Sequence, residues 1–305
     1  MAAPPPADAA AVRMPGTAFV RDSRTRMKEL GFAAILLFLL SLALLTLVVL
    51  LIDILIEGTG HLSGEFLTET PSRIDPASSG IQPAIVGTLL LMLVCAAFII
   101  PVGVASAIYL EEYANREKWF PRFIEVNIQN LAAVPSIVYG VLGLAFLVRG
   151  PFDLGNVAFA GGLTLGLLVL PVVIVAGREA IRAVPPSIRE GSMALGATKW
   201  QTIWKQVLPA SIPGIATGAI LALSRAIGEA APLIVVGATI FATSTNYSLF
   251  DGDFSALPIT IFGWTADPDK EFQALAAAAI IVLMVILLAM NAVAIWLRNR
   301  FEQKW

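Results

Sequence analysis

Two residues of opposite charge stand where charge is costly. Arg225 and Glu229 lie four positions apart inside the apolar run 212–242, and helical spacing would bring them onto one face. Counted from Pro213 at about 1.5 Å per residue, Arg225 lies about 18 Å along such a helix, near the middle of a bilayer. An Arg there costs about 2.5–3.5 kcal/mol on insertion scales, so it should face a partner or a water-filled path. Its planar, fixed donors suit an anion on that path. Gly214, Gly218 and Ala222 lead up to the pair in helical steps, placing small residues on the same stripe, as close helix packing requires. A structural ion pair would use the same spacing, but it has no need of the bilayer centre, which favours a functional role.

A second constellation is the polar loop 187–209, stranded between two apolar runs. Ser187 and Glu190 have the spacing of a capping box after Pro185-Pro186, and Gly196 supplies a C-terminal stop. Thr198 and Gln201 repeat the arrangement. The second helix carries Trp200, Ile203, Trp204 and Val207 at steps of three and four beside Lys199 and Lys205, the pattern of an interfacial amphipathic helix. It should end near Leu208, because Pro209 cannot continue the hydrogen-bond ladder. Met193 and Leu195 ride on a first helix too short to bury them, so two readings stand: insertion into another protein, or a self-contained loop.

Elsewhere the polar signals are weaker. Pro135 interrupts the apolar run 126–148, and Ser136 and Tyr139 after it could line a cavity or simply join helices. Arg178 ends a Gly-rich run at a membrane edge, a position that topology explains and that a role in an inner vestibule would also use. His61 is the only histidine and Cys95 the only cysteine, which leaves neither a disulfide framework nor a Cys-rich metal site. No Gly-x-x-x-x-Gly-Lys-Ser/Thr phosphate loop occurs, so ATP hydrolysis is expected in a separate chain and no cofactor in this one.

The elements that must hold these residues are membrane helices. Of 305 residues, 57% are hydrophobic and 14% charged, with a mean hydropathy of +0.82, which excludes an ordinary soluble domain. Apolar runs over 32–56, 81–110, 126–148, 157–177, 212–242 and 272–297 predict an all-α integral membrane protein with six transmembrane helices. The first run is too long for a signal-peptide core. Sixteen of the twenty Lys and Arg fall in the N-terminal stretch, 111–125, 178–211 and the C-terminal end, against Arg73, Arg149 and Lys270 on the other side. The positive-inside rule therefore makes both tails (1–30 and 299–305) and the loop 187–209 cytoplasmic. On the outer side, Ser255 is a position that an impermeant reagent should reach. An intramembrane enzyme would need paired acid–base or metal-ligand groups, and these runs offer little beyond Arg225, Glu229 and Asp53 near an outer end.

The residues now resemble a family. Glu190, Gly196 and Leu208-Pro209 have the spacing of the EAA loop of ABC importer permeases, with Gly191 and Ser192 where that family has two alanines and Gln206 where it usually has Ile. Gly87-Thr-Leu, Pro101-Val-Gly-Val-Ala-Ser-Ala-Ile-Tyr-Leu-Glu-Glu-Tyr-Ala114, Asn130-Leu-Ala-Ala-Val-Pro-Ser-Ile-Val-Tyr-Gly140 and Ser224-Arg-Ala-Ile-Gly-Glu-Ala-Ala-Pro-Leu233 resemble the phosphate-specific permeases of the PstA type. The resemblance implies the type I ABC importer permease fold, with a first helix at 31–57 and a transmembrane domain over 81–298. It implies a permease for inorganic phosphate in the bacterial inner membrane, partnered by a PstC-like permease, a PstB-like ATPase dimer that binds ATP and Mg, and a PstS-like phosphate-binding lipoprotein. Membrane lipid surrounds it and nucleic acid is not a partner. Arg225, Glu229, Ser136, Tyr139 and Arg178 become candidates for the substrate path, and Glu190, Met193, Leu195 and Gly196 for coupling to the ATPase. A permease for another oxyanion, such as phosphonate, sulfate or molybdate, is the alternative.

Overall fold

A computed structural model describes residues 23–115, 117–242 and 248–301. The expected N-terminal tail lies outside the described residues up to position 22, and so do the last four residues of the C-terminal tail. Twelve α-helices follow one another among the described residues: α1 Ser23–Thr59, α2 Gly64–Thr68, α3 Gln82–Ile108, α4 Trp119–Leu131, α5 Ser136–Gly143, α6 Ala158–Arg182, α7 Pro186–Ala194, α8 Lys199–Thr202, α9 Leu208–Ala226, α10 Ala231–Val236, α11 Leu257–Thr265 and α12 Lys270–Phe301. By contacts the chain divides into units 1–52 and 53–305. In the first unit α1 is apolar all round, with Phe32, Leu37, Phe38 and Leu45 exposed, which suits lipid.

Five helical stretches are long and apolar enough to cross a membrane: 28–59, 82–113, 158–182, 199–226 and 270–300. The sixth expected span is broken. α4 and α5, with the π turn Leu144–Val148 that extends α5, meet at 108°. Pro135 precedes the first residue of α5 and donates no backbone hydrogen bond, so the ladder cannot pass through it. Tyr139 Oη donates to the carbonyl oxygen of Leu131 at 2.9 Å, satisfying a terminal carbonyl of α4 and pinning the bend. Trp119, Phe120 and Phe123 project from α4, exposed and in ring contact with one another through Trp119.

The fifth span departs from expectation at both ends. The helix does not stop near Leu208; it runs without interruption from Lys199 to Ala226. A π turn over Ile203–Val207 makes this possible: the Leu208 amide donates to the carbonyl of Ile203, and the widened turn accommodates Pro209. At its far end the helix stops at Ala226, four residues turn, and α10 resumes at Ala231 before Gly237 closes it at φ 101°. The run 212–242 is thus a helix, a break and a short second helix.

α6 is the most buried of these stretches, with Ala160, Leu165, Val169 and Val173 almost fully enclosed by the bundle. Neighbouring helices approach it through glycine, because lipid removes the hydrophobic drive and leaves close van der Waals contact to hold helices together. A Cβ on Gly162 would stand 2.6 Å from Val94 of α3, and one on Gly218 of α9 only 2.3 Å from Cβ of Ala176. The expected small-residue stripe of α9 is therefore its seam with α6. Ser255 is not the accessible position expected: it is 2% exposed, covered where its carbonyl meets Gly87 of α3 and where Thr88 Oγ1 accepts from the Leu257 amide at 2.9 Å.

Candidate translocation and coupling sites

The two helix breaks pack against each other. Gly140 of α5 lies so close to α10 that a Cβ would stand 2.8 Å from Cα of Pro232, which brings 130–140 and 224–233 to one place. Arg225 occupies the last turn of α9, where a cation meets the negative end of the helix dipole. Glu229 is not on that helix at all. The turn after Ala226, held by Gly228 N–H to Arg225 O and Glu229 N–H to Ala226 O, folds it back towards the guanidinium.

The Arg225–Glu229 contact is long, 3.4 Å from Nε to Oε1, and the Arg225 side chain is 45% exposed. Charge-assisted bonds of this kind usually measure about 2.7–2.9 Å. Among the described residues neither terminal Nη of Arg225 has a hydrogen-bond partner, so both stay available to an anion. Tyr139 is 5% exposed and its hydroxyl is engaged by Leu131; it shapes the break. Ser136 opens α5 beside it, half-buried.

Arg178 stands elsewhere. It is 6% exposed and lies between Glu125 of α4, at 2.9 Å, and Glu111 of the π turn Tyr109–Tyr113 that ends α3, at 3.6 Å. Glu111 also takes Arg182 bidentately at 3.0 and 3.1 Å. Arg178 thus ties three elements together; its Nε is buried without a hydrogen-bond partner among the described residues, and its side chain is far more withdrawn from solvent than that of Arg225. The carboxylates of this network escaped the sequence reading. Their signal was the pair Glu111-Glu112 closing one apolar run opposite a loop rich in Arg.

The loop 187–209 forms largely as its residues demand. α7 starts one residue earlier than Ser187, with Pro185 as N-cap and no side-chain cap bond, so the first capping box does not form. Pro186 takes the first helical position because its missing N–H and preset φ suit that site, and Ser187 is moved inside. The second box is complete: Thr198 Oγ1 accepts from the Gln201 amide, and Gln201 reaches back to the Thr198 amide. Gly196, at φ 86°, closes α7 in a Schellman motif, with Ala197 N–H to Ser192 O and Gly196 N–H to Met193 O. Glu190 is exposed, Met193 is 48% and Leu195 91% exposed, leaving α7 with apolar side chains and nothing of its own to cover them. Ile203 and Val207 turn inward, while Trp200 and Trp204 meet edge to face on the outside with ring centroids 5.3 Å apart.

An exposed short helix joined to a bundle of membrane helices, with two of the expected spans broken, fits the ABC importer permease that the sequence resembles. The comparisons agree. A family profile described as "Binding-protein-dependent transport system inner membrane component" matches residues 99–305. The chain is 35% identical over 222 residues to the Phosphate transport system permease protein PstA 1 of Mycobacterium tuberculosis H37Rv, covering 72% of this chain and 70% of that one. It is 30% identical over 273 residues to the Probable phosphate transport system permease protein PstA of Methanocaldococcus jannaschii, covering 88% and 94%. Among solved structures, a bacterial ABC transporter involved in the import of the acidic polysaccharide alginate aligns with a TM-score of 0.63 at 18% identity, over 91% of this chain and 98% of that one.

The fold is therefore that of a type I ABC importer permease, a multi-pass membrane transport subunit. The chain belongs to the binding-protein-dependent transport system inner membrane component family, which implies a separate ATPase and a substrate-binding protein as its partners.

Proposed function

We propose that this chain is the permease subunit of an ATP-driven importer of inorganic phosphate. The observation that carries the reading is Arg225, a cation with both Nη groups available at the junction of two broken helices. Such a site would serve any oxyanion; the names of the relatives favour phosphate. A PstC-like permease would supply the other half of the path, a PstB-like ATPase dimer would engage Met193 of α7 and Leu195 that caps it, and a PstS-like lipoprotein would deliver phosphate. ATP-driven closure of the ATPase moves α7, the path opens outward, and phosphate meets Arg225. Glu229 then keeps the hold transient. ATP and Mg belong to the partner chain.

Vesicles containing the complex should accumulate labelled phosphate only with ATP inside, and excess sulfate, molybdate or phosphonate should not compete. ATP-dependent uptake of one of those without phosphate would overturn the assignment.

The same reading places the chain in the bacterial inner membrane with both termini and α7 in the cytoplasm. Asp251 is exposed, this topology would put it on the opposite side, and Cys95 is fully buried. In a Cys95→Ala background, Asp251→Cys should therefore react with an impermeant thiol reagent added to intact cells whose outer barrier is opened. Reaction only from the cytoplasmic side would reverse the topology.

A further inference from the structure

α7 is short, buries none of its residues fully, and must pass on whatever displacement it receives. Ile188 packs against the cluster of Ala107, Ile181, Val184 and Val207, and Ser192 Oγ meets Thr202 Oγ1 at 2.9 Å, but one guanidinium ties α7 by hydrogen bonds to the ends of both α6 and α3. Arg189, on the second turn of α7, donates from Nη1 to Val184 O at 2.6 Å and from Nη2 to Ile181 O at 2.8 Å. These are carbonyls at and just past the C-terminal end of α6, where helices leave acceptors unsatisfied. The same guanidinium grips Glu112 Oε1 through Nε at 2.9 Å and Nη2 at 2.8 Å. Glu112 belongs to the π turn that continues α3. Its side chain is 9% exposed and that of Arg189 20%, so this is a largely desolvated clasp, unlike a solvent-screened surface pair. The other arm of the loop converges on the same residue: Lys199 Nζ donates to the backbone carbonyl of Glu112, and its ammonium lies 5.0 Å from the Tyr113 ring centroid.

We propose that Arg189, clasped to Glu112 and to the end of α6, is the positioning residue that makes α7 move as one body with α3 and α6, so that displacement of α7 reaches the transmembrane path. The proposal rests on α7 being the surface that the ATPase moves. The geometry supports a rigid link and no slack: the connection Ala183–Pro185 between α6 and α7 is short, Pro185 and the adjoining Pro186 of α7 stiffen it, and the guanidinium closes it into a ring of hydrogen bonds. Of the basic residues in this loop, Arg189 alone joins α7, α6 and the end of α3 through one side chain.

Two variants separate coupling from folding. Glu112→Gln removes the charge while keeping the shape. Arg189→Lys keeps the charge but cannot span a carboxylate and two carbonyls together. In vesicles containing the complex, both should raise the ATP hydrolysed per phosphate imported by about fivefold or more, the size of an ordinary coupling term. An unchanged ratio overturns the proposal, whether both rates hold or both fall in parallel; a parallel fall is what a role in loop folding alone would produce. A second measurement does not depend on the transported ion. With nitroxides on Ser187→Cys and Asn115→Cys in the Cys95→Ala chain, the distance between α7 and the end of α3 should be the same in nucleotide-free and ATP-bound complexes, and should broaden in Glu112→Gln. If the parent distance itself changes with ATP, the link is not rigid and the proposal fails. A parent complex that keeps this distance but imports no phosphate refutes the phosphate reading and leaves the clasp standing.

Discussion

Replacing Arg225 with Gln should abolish phosphate uptake while the complex still assembles. Phosphate near neutral pH carries one or two negative charges and must shed water in a narrow path, so it needs donors already in place. Arg225 supplies two Nη groups without a hydrogen-bond partner among the described residues, at the break after α9. A hydrogen bond to a charged group contributes about 1.5–3 kcal/mol, so losing even one lowers the rate roughly 10- to 100-fold. Arg225→Lys retains the charge but loses the fork, and should keep part of the rate. The structural alternative makes a different forecast. If the residue served only to neutralise Glu229, then Arg225→Gln with Glu229→Gln would remove both charges and restore transport. The 3.4 Å separation and the exposed guanidinium argue for continued loss. Uptake by vesicles containing each variant, with complex recovery as control, decides the matter; parental uptake by the double variant would move Arg225 into the scaffold.

Replacing Gly218 with Val should prevent the bundle from closing. A Cβ at that position would stand 2.3 Å from Cβ of Ala176 on α6, and backbone lies behind both, so the helices must separate. Overpacking of this kind costs about 1–3 kcal/mol, and a β-branched side chain on a helix seam belongs at the upper end. The expected result is a lower unfolding temperature in detergent and reduced recovery of assembled complex. Gly60 serves as the control, since among the described residues nothing lies within 4 Å of its Cβ position; Gly60→Ala should leave both measures at the parental level. A Gly218→Val chain as stable as the parent would mean that α6 and α9 do not meet along this seam.

Much of this protein is legible in residue order, for physical reasons that act locally. A run of apolar residues long enough to cross a bilayer announces a helix because its backbone can satisfy itself in no other way there, and α1, α3, α6 and α12 appear where such runs stand. Gly196 ends α7 because a left-handed residue is needed there, and Thr198 with Gln201 caps α8 within four residues of chain. The spacing of Glu190, Gly196 and Leu208-Pro209 was enough to point to the importer class.

Tertiary structure decided what depends on partners far away in sequence. Pro209 looked like a helix stop, yet a π turn carries the helix past it, because Ile203 and Val207 find burial against the bundle. Arg225 and Glu229 read as one helical stripe; the chain instead breaks between them, and the break is held where Gly140 admits Pro232. Arg178 read as a possible vestibule cation, and two carboxylates from other elements engage it. The clasp of Arg189 on Glu112 joins residues 77 positions apart. Periodicity reports which face of a helix is apolar, but a charge acquires its role from the charges that folding brings to it, and those lie on other helices.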